Sequence, residues 1–157
     1  MLKMNLDYID IKILEALQRN ARLSNIDLAQ KVGLSPSPCL RRVKRLEKEK
    51  YISHYSAVID QNLVGLPVNV FIQVSLSKQD EDSLAIFENK IVKSKEVMEA
   101  YLMTGDSDYL LRVVTSDLEA FEKFLKKHLT RIDSVSSIRS SFALKKVIQR
   151  TALPLAL

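Results

Sequence analysis

The sequence predicts an α+β protein in two parts, a helical N-terminal third followed by a domain with the element order βαββαβ. Three observations carry this expectation. Apolar residues recur at helical spacing from Leu6 to Tyr51, whereas from Val68 onward short alternating runs trade places with helical runs. The positive charge also divides unequally: residues 1–60 hold 11 Lys/Arg against 7 Asp/Glu, and residues 61–157 hold 13 against 12. The expected divisions are a helical domain over 1–51, a linker strand over 52–67 and the second domain over 68–157.

In the first part, Asp7 can cap a helix that aligns Ile9, Ile13, Ala16 and Leu17 on one face and ends near Asn20. Ser24 can cap a short second helix with Leu28, Ala29 and Val32 turned inward. Gly33 then stands just past its last periodic residue, where a left-handed cap favours glycine. Ser35-Pro36 opens a third helix running through Lys48, since proline is well tolerated at the first helical position. Two helices joined by a tight Gly33-Leu34-Ser35 turn, with a first helix across them, form a helix-turn-helix of the winged type.

The third helix carries the charge. At about 100° per residue, Cys39, Val43 and Leu46 fall on one side, while Ser37, Arg41, Lys44, Arg45 and Lys48 cluster opposite. Residues 35–50 hold six Lys/Arg and two Asp/Glu, which accounts for the whole surplus of the first 60 residues. A basic face alone suits solubility as well as binding. The tight turn before it favours double-stranded DNA, with Ser35, Ser37, Arg41, Arg42, Lys44, Arg45 and Lys48 as the contacting set. Of these, Ser37, Arg41 and Arg45 are expected near base edges, and Arg42, Lys44 and Lys48 near phosphates. Cys39 lies on the inward side, where a thiol packs as a small hydrophobe.

In the second part, Val68, Val70, Ile72, Val74 and Leu76 alternate with Asn69, Phe71, Gln73, Ser75 and Ser77, a period-2 strand. Leu84, Phe87 and Ile91 mark a helix, Val97 to Met103 a second strand and Tyr109 to Thr115 a third. Leu118, Phe121 and Leu125 mark another helix, and Val135 to Val147 a final strand. This is the ferredoxin-like order, an antiparallel sheet with both helices on one face. Its other face would expose Phe71, Leu110 and Val114, so a second copy is expected to cover it in a homodimer.

Several function classes are excluded. No apolar run reaches the ~18 residues of a membrane helix, and Met1 to Asp10 lacks the features of a secretory signal, so a cytoplasmic protein without membrane attachment is expected. The single Cys39, and His54 and His128 with 73 residues between them, offer neither a disulfide nor a metal cluster. There is no GxSxG elbow, HExxH, P-loop or dinucleotide fingerprint, so neither an enzyme nor a cofactor is expected. The rival to a sequence-specific regulator is an architectural protein that compacts DNA through phosphates with little base readout.

Three stretches carry a resemblance. Leu6 to Leu14, Leu23 to Ala29, and Val32 to Glu47 with its Ser-Pro-Ser-Pro-Cys-Leu-Arg-Arg run are joined in the second domain by Gly105-Asp106-Ser107-Asp108-Tyr109-Leu110-Leu111. Over nearly its whole length the chain resembles the Lrp/AsnC (leucine-responsive, feast/famine) transcription regulators. The resemblance implies regulation of amino-acid metabolism genes, a dimer in which a linker strand (here Tyr51 to Asp60) takes part, and frequently an octamer, a tetramer of dimers. It also implies an amino-acid effector held near Thr104, Gly105, Asp106, Asp108 and Tyr109, with Ser140 and Ser141 completing the site. A carboxylate can pair an α-ammonium, and backbone N–H groups beside Gly105 can receive an α-carboxylate. Ordinary turn duty explains Gly105, Asp106 and Asp108 equally well.

Overall fold

The computed structural model describes residues 6–155. One compact unit runs to Val58 and takes in the chain again from Val147, and the other is Ile59–Lys146.

The N-terminal unit is built from α1 (Tyr8–Arg19), α2 (Asn25–Val32) and α3 (Pro36–Lys48). A capping box starts α1: the Asp7 carboxylate accepts the Asp10 N–H at 2.9 Å, and the Asp10 carboxylate accepts the Asp7 N–H at 3.1 Å. Ser24 Oγ caps α2 by accepting the Asp27 N–H at 3.1 Å. Gly33 ends α2 in the left-handed region at φ 76°, and the Leu34 N–H closes back on the Ala29 carbonyl at 2.9 Å. These caps satisfy groups that helix ends otherwise leave orphaned, and so set the tight turn into α3. The core joins Ile13, Leu14 and Ala16 to Leu28, Ala29 and Val32, and to Cys39 and Leu46 of α3. At the far end of α3, Lys50 occupies the left-handed region at φ 64°, a place glycine usually fills.

The second unit is a four-stranded antiparallel sheet in the order β2-β3-β1-β4, from β1 (Val68–Leu76), β2 (Val97–Leu102), β3 (Tyr109–Thr115) and β4 (Val135–Phe142). Its helices are α4 (Glu81–Ile91) and α5 (Leu118–Phe124), the latter widening into a π-helical turn over Leu125–Leu129. Asp80 and Asp117 cap them by accepting the N–H groups of Ser83 and Ala120. Val70, Ile72 and Val74 are wholly buried and meet Leu111, Val113, Phe87, Phe121 and Phe124. Each such side chain is worth about 1.5–3 kcal/mol of transfer free energy.

Three expectations change. The final strand stops at Phe142 rather than Val147: Phe142 pairs with Val70, the Ala143 N–H reaches the Asn69 carbonyl, and Leu144 then turns out into solvent. Residues 52–67 form no strand within this chain, because a strand exists only where a neighbour accepts its ladder. Instead the Ile52 N–H bonds the Leu46 carbonyl, and the Tyr55 hydroxyl donates to Glu47 at 2.9 Å, so the linker begins folded back along α3. Burial first and Glu47 second push the Tyr55 phenol up to about 12. On the sheet face away from the helices, Phe71 is exposed as expected, but Val114 is buried. The turn that follows Asp60 approaches that side through Arg112, which donates to Gln61 Oε1 at 3.4 Å.

Candidate nucleic-acid interface and ligand site

The outward stripe of α3 is narrower than its sequence suggests. Ser35, Ser37, Arg41, Lys44 and Lys48 are exposed, and the three cations among them form no ion pair within the described residues. The Ser35 side chain makes no capping bond, which leaves its hydroxyl and the Ser37 N–H open to an acceptor such as phosphate; Pro36 and Pro38 have no N–H, and the Cys39 N–H bonds the Ser35 carbonyl. Leu40 stands among these residues, 42% exposed.

Arg42 and Arg45 sit differently. Both turn toward α1, where the Asp10 carboxylate is 1% exposed: Arg42 Nη1 donates to Asp10 at 2.8 Å and to Asp7 at 2.6 Å, and Arg45 Nη2 donates to the second Asp10 oxygen. The Asp7 carboxyl lies below its ordinary range, held there first by the Asp10 N–H and then by Arg42. These arginines therefore brace α3 against α1 as well as adding positive charge. The sequence carried a signal for this, two acids at i and i+3 on α1 facing two arginines at i and i+3 on α3, but only the packing shows that they meet. Cys39 is buried as expected, and burial raises its thiol.

In the second unit, the expected effector residues divide into two groups. Thr104, Gly105 and Asp106 are exposed on the β2–β3 turn, with Gly105 at φ 123°. Asp108 and Tyr109 point into the fold. One Asp108 oxygen accepts the Leu76 N–H and the other Gln79 Nε2, each at 2.6 Å, so this carboxylate ties the end of β1 to the turn. The Tyr109 ring stacks near Phe87, and its hydroxyl donates to Glu88 at 2.8 Å. Burial, then Glu88, raises the phenol far above its ordinary value. Ser140 and Ser141 pair with Ile72 and Phe71 on β1, so they face opposite sides of the sheet, and β1 and β3 separate them from β2. Within one chain they do not meet the turn.

Between α4 and β2 lies a groove of about 400 Å³ whose walls include Phe87, Ile91, Val97, Ala100, Leu102 and Tyr109, with Glu88 also lining it. Leu102 and Tyr109 are also the pair that closes the β2–β3 turn, so groove and turn adjoin. Glu88 was not foreseen, because nothing in a helical pattern distinguishes a carboxylate over a groove from one in solvent. His128 Nδ1 lies 2.9 Å from the Ser94 hydroxyl and its ring stacks on Phe124, which places it in packing rather than chemistry. No group of three or more metal-ligating side chains occurs among the described residues, and none of their helices is long and apolar enough to cross a membrane.

A helix-turn-helix with a basic outward helix, joined to a ferredoxin-like domain with a groove, defines a ligand-responsive DNA-binding protein. Residues 6–53 match the winged helix-turn-helix DNA-binding model, and residues 69–153 match the Lrp/AsnC ligand binding domain. The chain belongs to the Lrp/AsnC family of transcription regulators, which are not enzymes. It is 54% identical over 150 residues to the Bkd operon transcriptional regulator of Pseudomonas aeruginosa, covering 96% of this chain and 98% of that protein. To the leucine-responsive regulatory protein of Escherichia coli it is 36% identical over 149 residues, covering 95% and 91%. A crystal structure of a Neisseria meningitidis transcriptional regulator in complex with L-Met superposes with a TM-score of 0.90 at 40% identity, covering 95% of this chain and 96% of that one.

Proposed function

We propose that this protein is a cytoplasmic, sequence-specific regulator that inserts α3 into the major groove and responds to an amino acid with an apolar side chain. The observation that carries the DNA half is the unpaired stripe of Ser37, Arg41, Lys44 and Lys48, with Arg42 and Arg45 behind it holding the helix in place. Within this reading Arg41 reaches base edges, Lys44 and Lys48 lie toward phosphates, and Ser35 sits at the helix entrance. The test is affinity for a selected operator against random duplex at one salt concentration. A preference of a thousandfold or more is expected of a specific regulator. Nearly equal affinities would replace this reading with that of an architectural DNA-compacting protein.

For the effector, the exposed Thr104-Gly105-Asp106 turn offers amides, a hydroxyl and a carboxylate to the polar ends of an amino acid. The adjoining groove offers an apolar bed to its side chain. The names of two relatives, one responsive to leucine and one crystallised with L-Met, fit such a ligand. Asp108 and Tyr109 support the turn from behind, and Ser140 and Ser141 would join only from another copy. A thermal-shift screen of the twenty amino acids should give a positive response for apolar ones. Asp106→Ala should abolish the response if the turn holds the polar ends, and Glu88→Gln should do so if the groove takes the ammonium. A blank screen would leave an effector-independent regulator.

The exposed sheet face around Phe71, with Tyr101 at 51% exposure, supports a homodimer formed there. Val58 and Ile59 of the unpaired linker, 65% and 61% exposed, support its completion as a strand against the second copy. An octamer of four dimers is the proposed assembly. Sedimentation equilibrium checks it, with a monomer across the micromolar range as the contrary result.

A further inference from the structure

The basic stripe of α3 contains one feature that charge does not explain. Leu40 lies three residues after Ser37, beside Arg41 and four residues before Lys44, and is 42% exposed in their midst. Its neighbours in sequence show that the helix had an inward option. Cys39, one position earlier, is wholly buried, and so is Leu46. At about 100° per residue Leu40 is rotated away from that buried side and onto the edge of the Ser37–Lys44–Lys48 line. A leucine there keeps two fifths of its surface in water, and as a member of a phosphate-binding surface that exposed part contributes nothing.

The major groove presents one apolar group, the C5 methyl of thymine, and apolar side chains are the ones that recognise it. Resting on the proposed function, we infer that Leu40 is a specificity-determining residue that reads a thymine methyl beside the base contacted by Arg41. The other side chains of the stripe cannot do this: serine, arginine and lysine present donors to base edges and phosphates, and none of them discriminates a methyl from a hydrogen. Arg42 and Arg45, held by Asp7 and Asp10, fix the rotation of α3 about its axis and hence the direction in which Leu40 points.

The experiment removes that methyl alone. A duplex is selected from a random library with the full-length protein, and each thymine of the enriched half-site is replaced in turn by deoxyuracil, which pairs identically. At one thymine per half-site the wild-type protein should lose about fourfold in affinity, the equivalent of one methyl no longer buried. Leu40→Ala should bind the parent duplex more weakly and lose nothing further on that replacement, while Leu40→Met should keep the sensitivity. Because Leu40 lies outside the core, both variants should retain the wild-type thermal midpoint, and their salt slope should be unchanged since no phosphate contact is touched. If no deoxyuracil position separates wild type from Leu40→Ala although base-pair changes still weaken binding, the inference is overturned and the sequence-specific reading stands. If selection enriches no sequence, that reading itself fails, and the inference with it.

Discussion

Replacing Asp10 by alanine tests how α3 is held. The carboxylate is almost wholly buried, accepts from Arg42 and Arg45, and closes the capping box on the Asp7 N–H at 3.1 Å. Breaking a fully buried ion pair costs about 3–5 kcal/mol, whereas an exposed one is worth about 0–1. The arginine side chains here remain 30% and 38% exposed and can recover part of their hydration, so the ionic loss is about 2 kcal/mol. Losing the cap adds roughly 1 kcal/mol. In the full-length protein, hydrogen exchange localises the effect: amides of α1 and α3 should exchange about 150-fold faster, the equivalent of 3 kcal/mol. Those of β1 and β3 should be unchanged. Asp10→Asn, which keeps an acceptor without the charge, should fall about midway. A cycle with Arg45→Ala should reveal a coupling of about 1 kcal/mol or more. Exchange altered less than threefold in Asp10→Ala, or strict additivity with Arg45→Ala, would refute the reasoning.

Other predictions follow from the same geometry. Asp108→Ala should destabilise the ligand-free second unit by about 2–3 kcal/mol, because the Leu76 N–H is left buried without an acceptor; an unchanged denaturant midpoint would contradict this. Lys48→Ala should flatten the salt dependence of DNA binding by about one unit, while Arg42→Ala, whose guanidinium is committed to Asp7 and Asp10, should change the slope less. Equal slopes for the two variants would remove the distinction. The tail also bears on stability: Gln18 exchanges hydrogen bonds with the Leu153 backbone at 3.3 and 2.6 Å, and Leu155 packs on the N-terminal core. Leu155→Ala should therefore speed exchange in α1, and an effect confined to the sheet would exclude that docking. In acid, Asp7, Asp80 and Asp117 all have lowered pKa values, Asp7 and Asp117 first from their capping bonds and Asp80 first from the Ser83 hydroxyl and then from its capping bond. Because the folded state binds these protons more weakly, their stabilisation is complete above the ordinary value near 3.8 and drains as pH falls through the lower folded values. Asp7→Asn should blunt that acid loss in circular dichroism, and an unaltered acid profile would count against the capping assignment.

The helices and the strand order were legible in the sequence because each rests on local chemistry. Asp7, Ser24 and Gly33 carry their cap functions in their own side chains or backbone freedom, and the alternation from Val68 to Leu76 can bury one face only as a strand. The end of the last strand was not legible. Ala143 to Val147 is as compatible with a strand as the residues before it, and only the fold shows the chain leaving β1 after the Ala143 N–H bonds the Asn69 carbonyl.

The candidate sites divide in the same way. That α3 is basic and outward was determined by composition and periodicity, which need no partner to be read. Which of its arginines are available was decided by tertiary structure, since Asp10 is distant in sequence and reaches Arg42 and Arg45 only when α1 packs across α3. Gly105, Asp106 and Asp108 are equally good turn residues on paper. In the fold, Asp108 is bound to Leu76 and Gln79 while Asp106 stays free, because the register of β3 on β1 turns one carboxylate inward and leaves the other in water. Local sequence thus determined what each segment becomes, and long-range packing decided which of its polar groups remain free to act.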